Sequence, residues 1–396
     1  MPPIEIPLLA DHHSHPLLYA TLQQAVDLSD VTELDDACDL LQQSADRQAG
    51  LTVAHGWKDN RFEIPESRLQ QLPPVAIFNV SLHQLLINAT GQSLLSAQYG
   101  EVINRVNDRR WYESHLPTVL NWFANLAGSA EILVQFYEQL ESLGVWSAEE
   151  MLLVDEREID WFREADLLLR TTFWAAPGTF ANLSAAGQKQ VHGLKFFTDG
   201  AIGARSAAIQ HAYQAGSQTE KNHGMLIHTD HQFQCQLTQA AESHKAIAIH
   251  AIGDRAIEQA ITQLEGIGPL IDHFPEIRLE HVQLINLEQA CRAKRQGIVL
   301  SMQPNFNSDS VNYGDRLPDG YAERNNPFRM LIDKAGFVPG VDLILGSDGM
   351  PHGAAFALQQ SLYPPIENQR LSLSEFLAGY GSNSDKVFRV DIESPG

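Results

Sequence analysis

The sequence predicts an α/β fold of the (β/α)8 barrel type, and three observations predict it. Eight short apolar runs recur along the chain, and helical stretches separate several of them. These runs lack clean alternation of apolar and polar residues, as expected when both faces of a parallel sheet are buried. No GxGxxG sequence follows the first run, which disfavours the alternative of an open doubly wound sheet. The eight runs are residues 4–15, 143–154, 165–176, 191–197, 245–253, 276–285, 298–304 and 341–349.

The clearest strand–helix–strand order lies in the second half of the chain. The run at 245–253 precedes the helical sequence DRAIEQAITQLEGI, and the run at 276–285 precedes the helical sequence NLEQACRAKRQG. The next apolar run follows directly at 298–304. This order indicates successive βαβ units, which is typical of a parallel sheet.

A stretch of about 110 residues, at about 30–140, separates the first two strands and is too long for an ordinary loop. It contains its own strand-like runs at 51–57 and 74–80. We therefore predict a single barrel domain over residues 1–396 with a cap subdomain inserted at about 30–140. Active sites of barrels form on the side where the strands enter their following loops, and the insertion is predicted to lie on that side.

The charge balance limits the partners that the sequence favours. Lys and Arg number 27 against 49 Asp and Glu, which gives a net charge of −22. Such a field disfavours nucleic acids and anionic membranes, so we expect a small-molecule substrate, and a homo-oligomer is compatible with the sequence. The start of the chain has no basic segment of a secretory signal, and no apolar run reaches the ~18 residues of a membrane span. Three widely spaced cysteines, Cys38, Cys235 and Cys291, indicate reduced thiols and a cytoplasmic protein.

Potential metal ligands occur at the ends of five predicted strands. Taken alone, each has an ordinary explanation: a strand-end histidine that forms hydrogen bonds, an aspartate that caps a turn, or a lysine that extends to water. Their occurrence together on one face of one barrel indicates a shared centre. His13 and His15 are two positions apart and therefore point to the same side of a strand. The candidate ligands are His13, His15, Lys195, His250, His281 and Asp348.

Several longer motifs occur in a fixed order over roughly residues 8–355. They are DHHSHP, LKFFTDGAIGARSA, IHAIGDRAI, RLEHVQLI, LSMQP and LILGSDGMP, with SLHQLLINATG in the insertion. The sequence resembles the amidohydrolase superfamily of metal-dependent hydrolases. More narrowly, it is similar to the branch that contains N-substituted formamide deformylase.

The resemblance implies a two-metal centre, with zinc as the metal best suited to histidine-rich ligation. It implies that His13, His15 and Asp348 hold the first ion and that His250 and His281 hold the second. Lys195, carboxylated by CO₂, would bridge the two ions. A metal-activated hydroxide would cleave a non-peptide C–N bond of an amide, formamide or cyclic amide, and Asp348 would carry the proton as the catalytic residue. Two alternatives stay open: a mononuclear deaminase-type site with unmodified Lys195, and a metal-binding barrel without catalysis.

The resemblance also implies a set of substrate-binding residues, and each has a structural alternative. Asp199 and Arg205 would otherwise fold their loop, His83 and Asn88 would be scaffold of the insertion, and Trp57 would be buried core. Gln303 would otherwise support the site. Asp254 is expected to cap the helix that follows His250. The predicted substrate-binding residues are His83, Asn88, Asp199, Arg205, Gln303 and Trp57.

One feature departs from the family pattern. Most members carry a small β-sandwich, built from segments before the first barrel strand and after the last helix. Here the HxH motif occurs at residues 13–15. We therefore expect the flanking β-sandwich to be absent.

Overall fold

The computed structural model describes residues 3–45, 50–100, 105–106, 108, 111–112, 115–214 and 221–392. The chain divides into two compact units, one comprising Met1–Pro16 with Ser129–Gly396 and the other Leu17–Gly128. Within the described ranges, no helix is both long enough and apolar enough to cross a lipid bilayer.

An eight-stranded parallel sheet forms the core of the first unit. Its strands pair in chain order, which confirms the predicted (β/α)8 barrel. The barrel consists of β2 and β7 through β13. The strands of the chain are β1 (Ile4–Pro7), β2 (Leu9–Ser14), β3 (Val26–Asp27), β4 (Thr52–Trp57), β5 (Val75–Asn79), β6 (Leu85–Ile87), β7 (Val145–Leu153), β8 (Thr171–Ala175), β9 (Val191–Phe197), β10 (Ala246–Ala251), β11 (Ile277–His281), β12 (Val299–Met302), β13 (Leu343–Leu345) and β14 (Val387–Val390).

Helices follow most of the barrel strands, and several begin at well-formed caps. Thr229, Asn286 and Ser372 each close a capping box with the Gln or Glu three residues later. The helices are α1 (Pro16–Leu22), α2 (Leu34–Ala45), α3 (Glu66–Leu69), α4 (Ala89–Tyr99), α5 (Leu116–Ala127), α6 (Ala130–Ser142), α7 (Glu156–Glu164), α8 (Pro177–Asn182), α9 (Ala185–Gln190), α10 (Asp230–Ala240), α11 (Asp254–Gly266), α12 (Leu287–Arg295), α13 (Asp309–Asn312), α14 (Phe328–Asp333), α15 (Ala354–Leu362) and α16 (Leu373–Tyr380).

The strand interiors explain why the sequence runs did not alternate. Every residue of β10 and of β11 is buried, because one face lines the barrel and the other packs against helices. The first predicted run, 4–15, divides into two strands, and only β2 belongs to the barrel. The run at 165–176 starts with a short 3₁₀ helix, Leu168–Arg170, before β8 begins.

Side chains and loops join the two ends of the paired barrel sheet. The Asp11 carboxylate accepts hydrogen bonds from the Ser347 amide at 2.8 Å and from the Ser347 hydroxyl at 2.5 Å. A Cβ atom at Gly346 would lie 2.4 Å from the backbone nitrogen of His13, so the backbones approach more closely than any side chain allows. We call this contact between the end of β13 and β2 the seam.

The segments that flank the barrel form a two-stranded antiparallel sheet. β1 pairs with β14 from Ile4 opposite Val390 to Pro7 opposite Val387. In the described residues these segments therefore contribute a single strand pair where the family pattern has a sandwich.

A layer of charged side chains lies inside the barrel. Glu149 of β7 accepts hydrogen bonds from Trp174 Nε1 at 2.6 Å and from Arg278 Nη1 at 2.8 Å, and it lies 2.8 Å from His12 Nδ1. The Arg278 guanidinium also stacks 4.7 Å from the centre of the Trp174 ring. Burial favours the protonated acid, but Arg278 and His12 outweigh it and lower the pKa of Glu149 from 4.5 to about 2. This layer therefore holds a buried, paired carboxylate.

The second unit contains a four-stranded sheet in the order β3-β4-β5-β6. Only β6 runs antiparallel to its neighbour. Its core includes Leu41, Trp57, Val75 and Ile77. This unit starts and ends earlier than the predicted insertion at about 30–140, since α6 belongs to the barrel unit and leads into β7.

Candidate metal centre

Five of the six predicted ligands lie near or just after the ends of barrel strands, and their side chains come together. Ligand atoms of His13, His281 and Asp348 all lie within 4.8 Å of one another. The Asp348 Oδ1 atom is 3.2 Å from His15 Nε2 and 3.7 Å from His13 Nε2. The ring of His250 lies 4.5 Å from that of His281. One buried cluster therefore contains all four predicted histidines and the aspartate.

The protonation of this cluster suits cation binding. Burial, assisted by the charge of Lys195, lowers the pKa of His13 well below its ordinary value, so its imidazole is neutral and offers an electron pair. Burial alone would raise the pKa of Asp348, but the hydrogen bond with His15 and the charges of His15, His281 and Lys195 together outweigh burial and lower that pKa. Neutral imidazoles beside a carboxylate are a donor set that fits zinc and similar ions.

Lys195 lies in the middle of β9 with a side chain that is 1% exposed. Its Nζ has no hydrogen-bond partner among the described residues. Burial lowers the pKa of Lys195 to about 8, although the charges of Glu280 and Asp348 oppose the shift. An unpartnered ammonium is costly in such a place, whereas a neutral amine open to modification is not.

Two buried side chains form hydrogen bonds with two of the predicted ligand histidines. His13 Nδ1 lies 2.5 Å from Glu280 Oε2, and His281 Nδ1 lies 2.8 Å from Gln303 Oε1. Both oxygens accept, so each Nδ1 donates and each Nε2 keeps its electron pair for a metal. Gln303 is fully buried, and its side-chain oxygen supports His281, which is the structural alternative given for this residue.

The backbone at two ligands is left-handed. His281 has φ 70° and Asp348 has φ 56°, a region that ordinary residues seldom adopt. Consecutive side chains of an extended strand point to opposite faces. The change at His281 ends that alternation, which allows Glu280 and His281 to serve the same centre.

Asp199 organises the loop that follows β9. Its carboxylate accepts hydrogen bonds from the backbone amides of Ile252, Gly253 and Ala208 at 2.8–3.0 Å. It also lies 3.5 Å from His250 Nε2. The three hydrogen bonds from backbone amides show that Asp199 holds the fold of this loop, which is sufficient to explain an aspartate at this position. Contact between Asp199 and substrate stays a prediction.

Arg205 lies in the same loop with φ 52°, and its backbone oxygen accepts a hydrogen bond from Asn222. Its role toward substrate also stays a prediction. Asp254 is the first residue of α11 rather than its cap, which is Gly253. Its carboxylate accepts from the Gln210 amide and the Tyr321 hydroxyl, so the expected capping role is wrong.

The other predicted substrate residues lie in the second unit. Trp57 is 4% exposed in that unit's core and donates its Nε1 hydrogen to the oxygen of Phe62. Asn88 is fully buried and caps α4 by accepting from the Gly91 amide. It also donates to the oxygens of Leu72 and Pro73, so this network by itself explains an asparagine there. His83 is partly buried in the turn between β5 and β6.

Sequence reasoning missed two groups at the centre. Glu280 directly precedes His281, and a charged residue inside an apolar run was an available signal. The second group is a pair: Ser14 Oγ lies 2.8 Å from His352 Nε2. Burial lowers the pKa of His352 to about 3. Nothing in the sequence links residues that are so far apart along the chain.

Comparison with known protein families identifies the family of this chain. Residues 6–391 match the profile of the Amidohydrolase family. The chain belongs to the amidohydrolase family. This amidohydrolase is 24% identical over 385 residues to the Bacillus subtilis (strain 168) protein YtcJ, which carries an amidohydrolase assignment. That match covers 84% of this chain and 68% of YtcJ. A second relative is the Arabidopsis thaliana protein LONG AFTER FAR-RED 3, 23% identical over 78% of this chain and 60% of its own length.

Solved structures support the fold of the amidohydrolase. An uncharacterised metal-dependent hydrolase from Pyrococcus horikoshii OT3 superposes with a TM-score of 0.66 at 21% identity, covering 96% of this chain and 80% of its own. A second, from Pyrococcus furiosus, gives a TM-score of 0.65 at 19% identity, with 96% and 81% coverage. Family and fold together identify this protein as a hydrolase with an amidohydrolase barrel.

Proposed function

We propose that this amidohydrolase cleaves a non-peptide C–N bond, in an amide, formamide or cyclic amide, at a centre of two zinc ions. The observation that carries the proposal is a cluster of four histidines and Asp348 beside a buried lysine. Lys195 interacts electrostatically with His13 and Asp348, and its Nζ has no hydrogen-bond partner among the described residues. A lysine in such a position favours carboxylation, because the carbamate is an anion with two oxygens that a pair of cations would hold.

The ligands are assigned in two groups. His13, His15 and Asp348 would hold one ion, His250 and His281 would hold the other, and Lys195, when carboxylated, would supply an anion to both. When bound, the two ions polarise the scissile carbonyl and lower the pKa of a water molecule. The groups that orient the ligands, Glu280 and Gln303, keep the Nε2 atoms of His13 and His281 directed to the metals.

Asp348 is the proton carrier. Its Oδ1 lies 3.7 Å from His13 Nε2 and 3.2 Å from His15 Nε2, so this carboxylate would be beside an ion held by these histidines and within reach of a proton released there. A carboxylate with a lowered pKa is ionised at neutral pH and accepts that proton, then donates it to the leaving nitrogen.

A second candidate is a one-metal, deaminase-type hydrolase with unmodified Lys195. The compact group of His13, His281 and Asp348 favours it, since these three residues alone would hold one ion. Metal content separates the two candidates: about two ions per chain against one. A metal-binding barrel without catalysis is the third outcome of the same test.

We propose a small molecule as substrate and a cytoplasmic location, with homo-oligomer formation open to direct measurement. The −22 net charge and three free cysteines support these assignments. The experiment is a hydrolysis screen of the zinc-loaded full chain against N-acyl, N-formyl and cyclic amides, with amine release as the signal. Turnover that His250→Asn abolishes would support the proposal. His12→Asn is the matched control, because His12 contacts Glu149 instead of the ligand cluster. Two bound ions without turnover of any amide class would overturn it.

A further inference from the structure

The two histidines that are supported by buried side chains have partners of different charge. His13 donates to a carboxylate, Glu280, at 2.5 Å, and His281 donates to a neutral amide, Gln303, at 2.8 Å. Both partners are 0% exposed. Water therefore does not screen the difference between a group that can carry a negative charge and a neutral amide dipole.

The Glu280 carboxylate that contacts His13 belongs to β11, the strand that also carries His281. Glu280 and His281 are consecutive in β11, yet Glu280 serves the ligand of β2. The backbone is left-handed at His281 and has φ 39° at Val282. This departure from extended geometry allows the side chains of Glu280 and His281 to reach the same centre. The end of β11 thus supplies His281 as a ligand to one metal position and Glu280 as the hydrogen-bond acceptor of His13 at the other.

We propose that Glu280 makes the metal position served by His13 the tighter of the two, so that the ions load in a fixed order. The inference rests on the proposed two-metal function. A carboxylate that accepts from Nδ1 makes the imidazole a stronger donor at Nε2, and its charge favours a nearby cation. Gln303 orients His281 equally well but adds no charge. Burial raises the pKa of Glu280 to about 7, against the opposing charges of unmodified Lys195 and of Arg278, and a cation held at the His13 position would favour the carboxylate form of Glu280 in the same way.

The chemical consequence concerns metal exchange. The ion at the His13 position stays bound while the ion at the His281 position exchanges with free metal. The rate of hydrolysis should therefore increase with the concentration of free metal along a single binding curve. That curve should have the dissociation constant of the weaker metal position, the one served by His281.

The test is a calorimetric titration of the metal-stripped full chain with Zn²⁺, in competition with a chelator of known affinity. The wild type should bind two ions with unequal dissociation constants. Glu280→Gln keeps the shape and the acceptor but removes the charge, and it should weaken the tighter constant by ~10–100-fold while leaving the other unchanged. Gln303→Glu adds the charge to the other ligand and should bring the two constants closer. Glu149→Gln is the matched control, since it also removes a buried carboxylate but one that touches no ligand.

The outcomes are distinct. If the wild type binds two ions and Glu280→Gln leaves the ratio of the two dissociation constants unchanged, this inference is overturned while the proposed function is not. Equal weakening of both positions would also overturn it, because it would show general damage to the centre. A wild type that binds one ion would overturn both the inference and the two-metal function. Should Glu280→Gln not fold, Gln303→Glu alone decides: an unchanged ratio overturns the inference.

Discussion

The backbone amide of Asp348 donates a 2.7 Å hydrogen bond to the backbone oxygen of His13. This bond joins the ligand that follows the last barrel strand to a ligand on the first. Together with the Asp11–Ser347 hydrogen bonds it lies on the seam, where side chains and loops close the barrel. The closure of the barrel and the spacing of two predicted metal ligands therefore depend on the same contacts.

Removal of metal should affect both stability and activity. A ligand that binds only the folded state stabilises it by about 2.7 kcal/mol when its concentration is 100 times the dissociation constant. We therefore expect chelation to abolish hydrolysis and to lower the unfolding temperature, and added zinc to restore both. Differential scanning calorimetry of the stripped and reloaded protein measures this. Identical thermograms for the two forms would contradict a metal bound at the seam.

Lys195→Ala should lose the bridging anion. We expect one ion fewer per chain and most activity lost, with partial recovery when a short carboxylate such as formate is added. Lys245→Ala serves as the control, because Lys245 is at the opposite end of the barrel strands and donates to the oxygen of Val191. Normal turnover with two bound metals in Lys195→Ala would rule out the bridge.

Asp348→Asn should separate metal binding from proton transfer. The amide oxygen can still approach a metal, but it accepts no proton near neutral pH. We expect at least one ion to remain, with KM within about tenfold of the wild type and kcat lowered by at least ~10², or about 2.7 kcal/mol of transition-state stabilisation. Steady-state kinetics with metal analysis checks this. Turnover close to that of the wild type would show that Asp348 acts only as a ligand.

Replacing only one member of the Glu149–Arg278 pair should destabilise the barrel more than replacing both members together. Arg278→Met leaves a buried carboxylate without its cation and should destabilise the barrel by about 3–5 kcal/mol. The double variant with Glu149→Gln should recover part of that loss. Urea unfolding of the four proteins of this cycle at pH 7 measures the coupling, and strictly additive effects would contradict it.

The same pair predicts a pH dependence of stability. The pKa of Glu149 is lowered to about 2 in the folded protein, against an ordinary value of 4.5. Its contribution to the free energy of unfolding is therefore fully present above about pH 4.5 and is lost as the pH falls toward 2. Glu149→Gln should flatten this part of the profile, which urea midpoints between pH 2 and 5 would record.

Two predicted substrate residues of the second unit should behave differently. Asn88→Ala removes the hydrogen bond from the Gly91 amide that caps α4 and two part-buried hydrogen bonds to the oxygens of Leu72 and Pro73, so it should cost about 2 kcal/mol or more in stability. His83→Ala should leave stability and metal content intact and change the order of preference among amide substrates. Chemical unfolding and a substrate panel test both. Unchanged preferences in His83→Ala would show that His83 is scaffold.

The sequence was sufficient to place the barrel strands and to select the residues that cluster at their ends, because both depend on local pattern. His250 and His281 each end an apolar run, and such a boundary marks the point where a barrel strand enters its loop. The partners of the ligands were not predictable in this way. Glu280 and His13 are in contact although they are 267 residues apart, and two of the three amides that bind Asp199, those of Ile252 and Gly253, are 53 and 54 residues away from it along the chain. Such contacts follow from tertiary geometry, which no spacing rule encodes.

The left-handed backbone at His281 and Asp348 has a consequence for surveys of related sequences. Histidine, aspartate and asparagine are the side-chain-bearing residues that tolerate this conformation best, and glycine adopts it freely. Backbone geometry and metal ligation therefore select overlapping residue types at these two positions. A relative that had lost its metals could still keep His or Asp there through conformational preference alone. The extended positions His13 and Lys195 carry no such bias, so their retention is the more informative marker of a working centre.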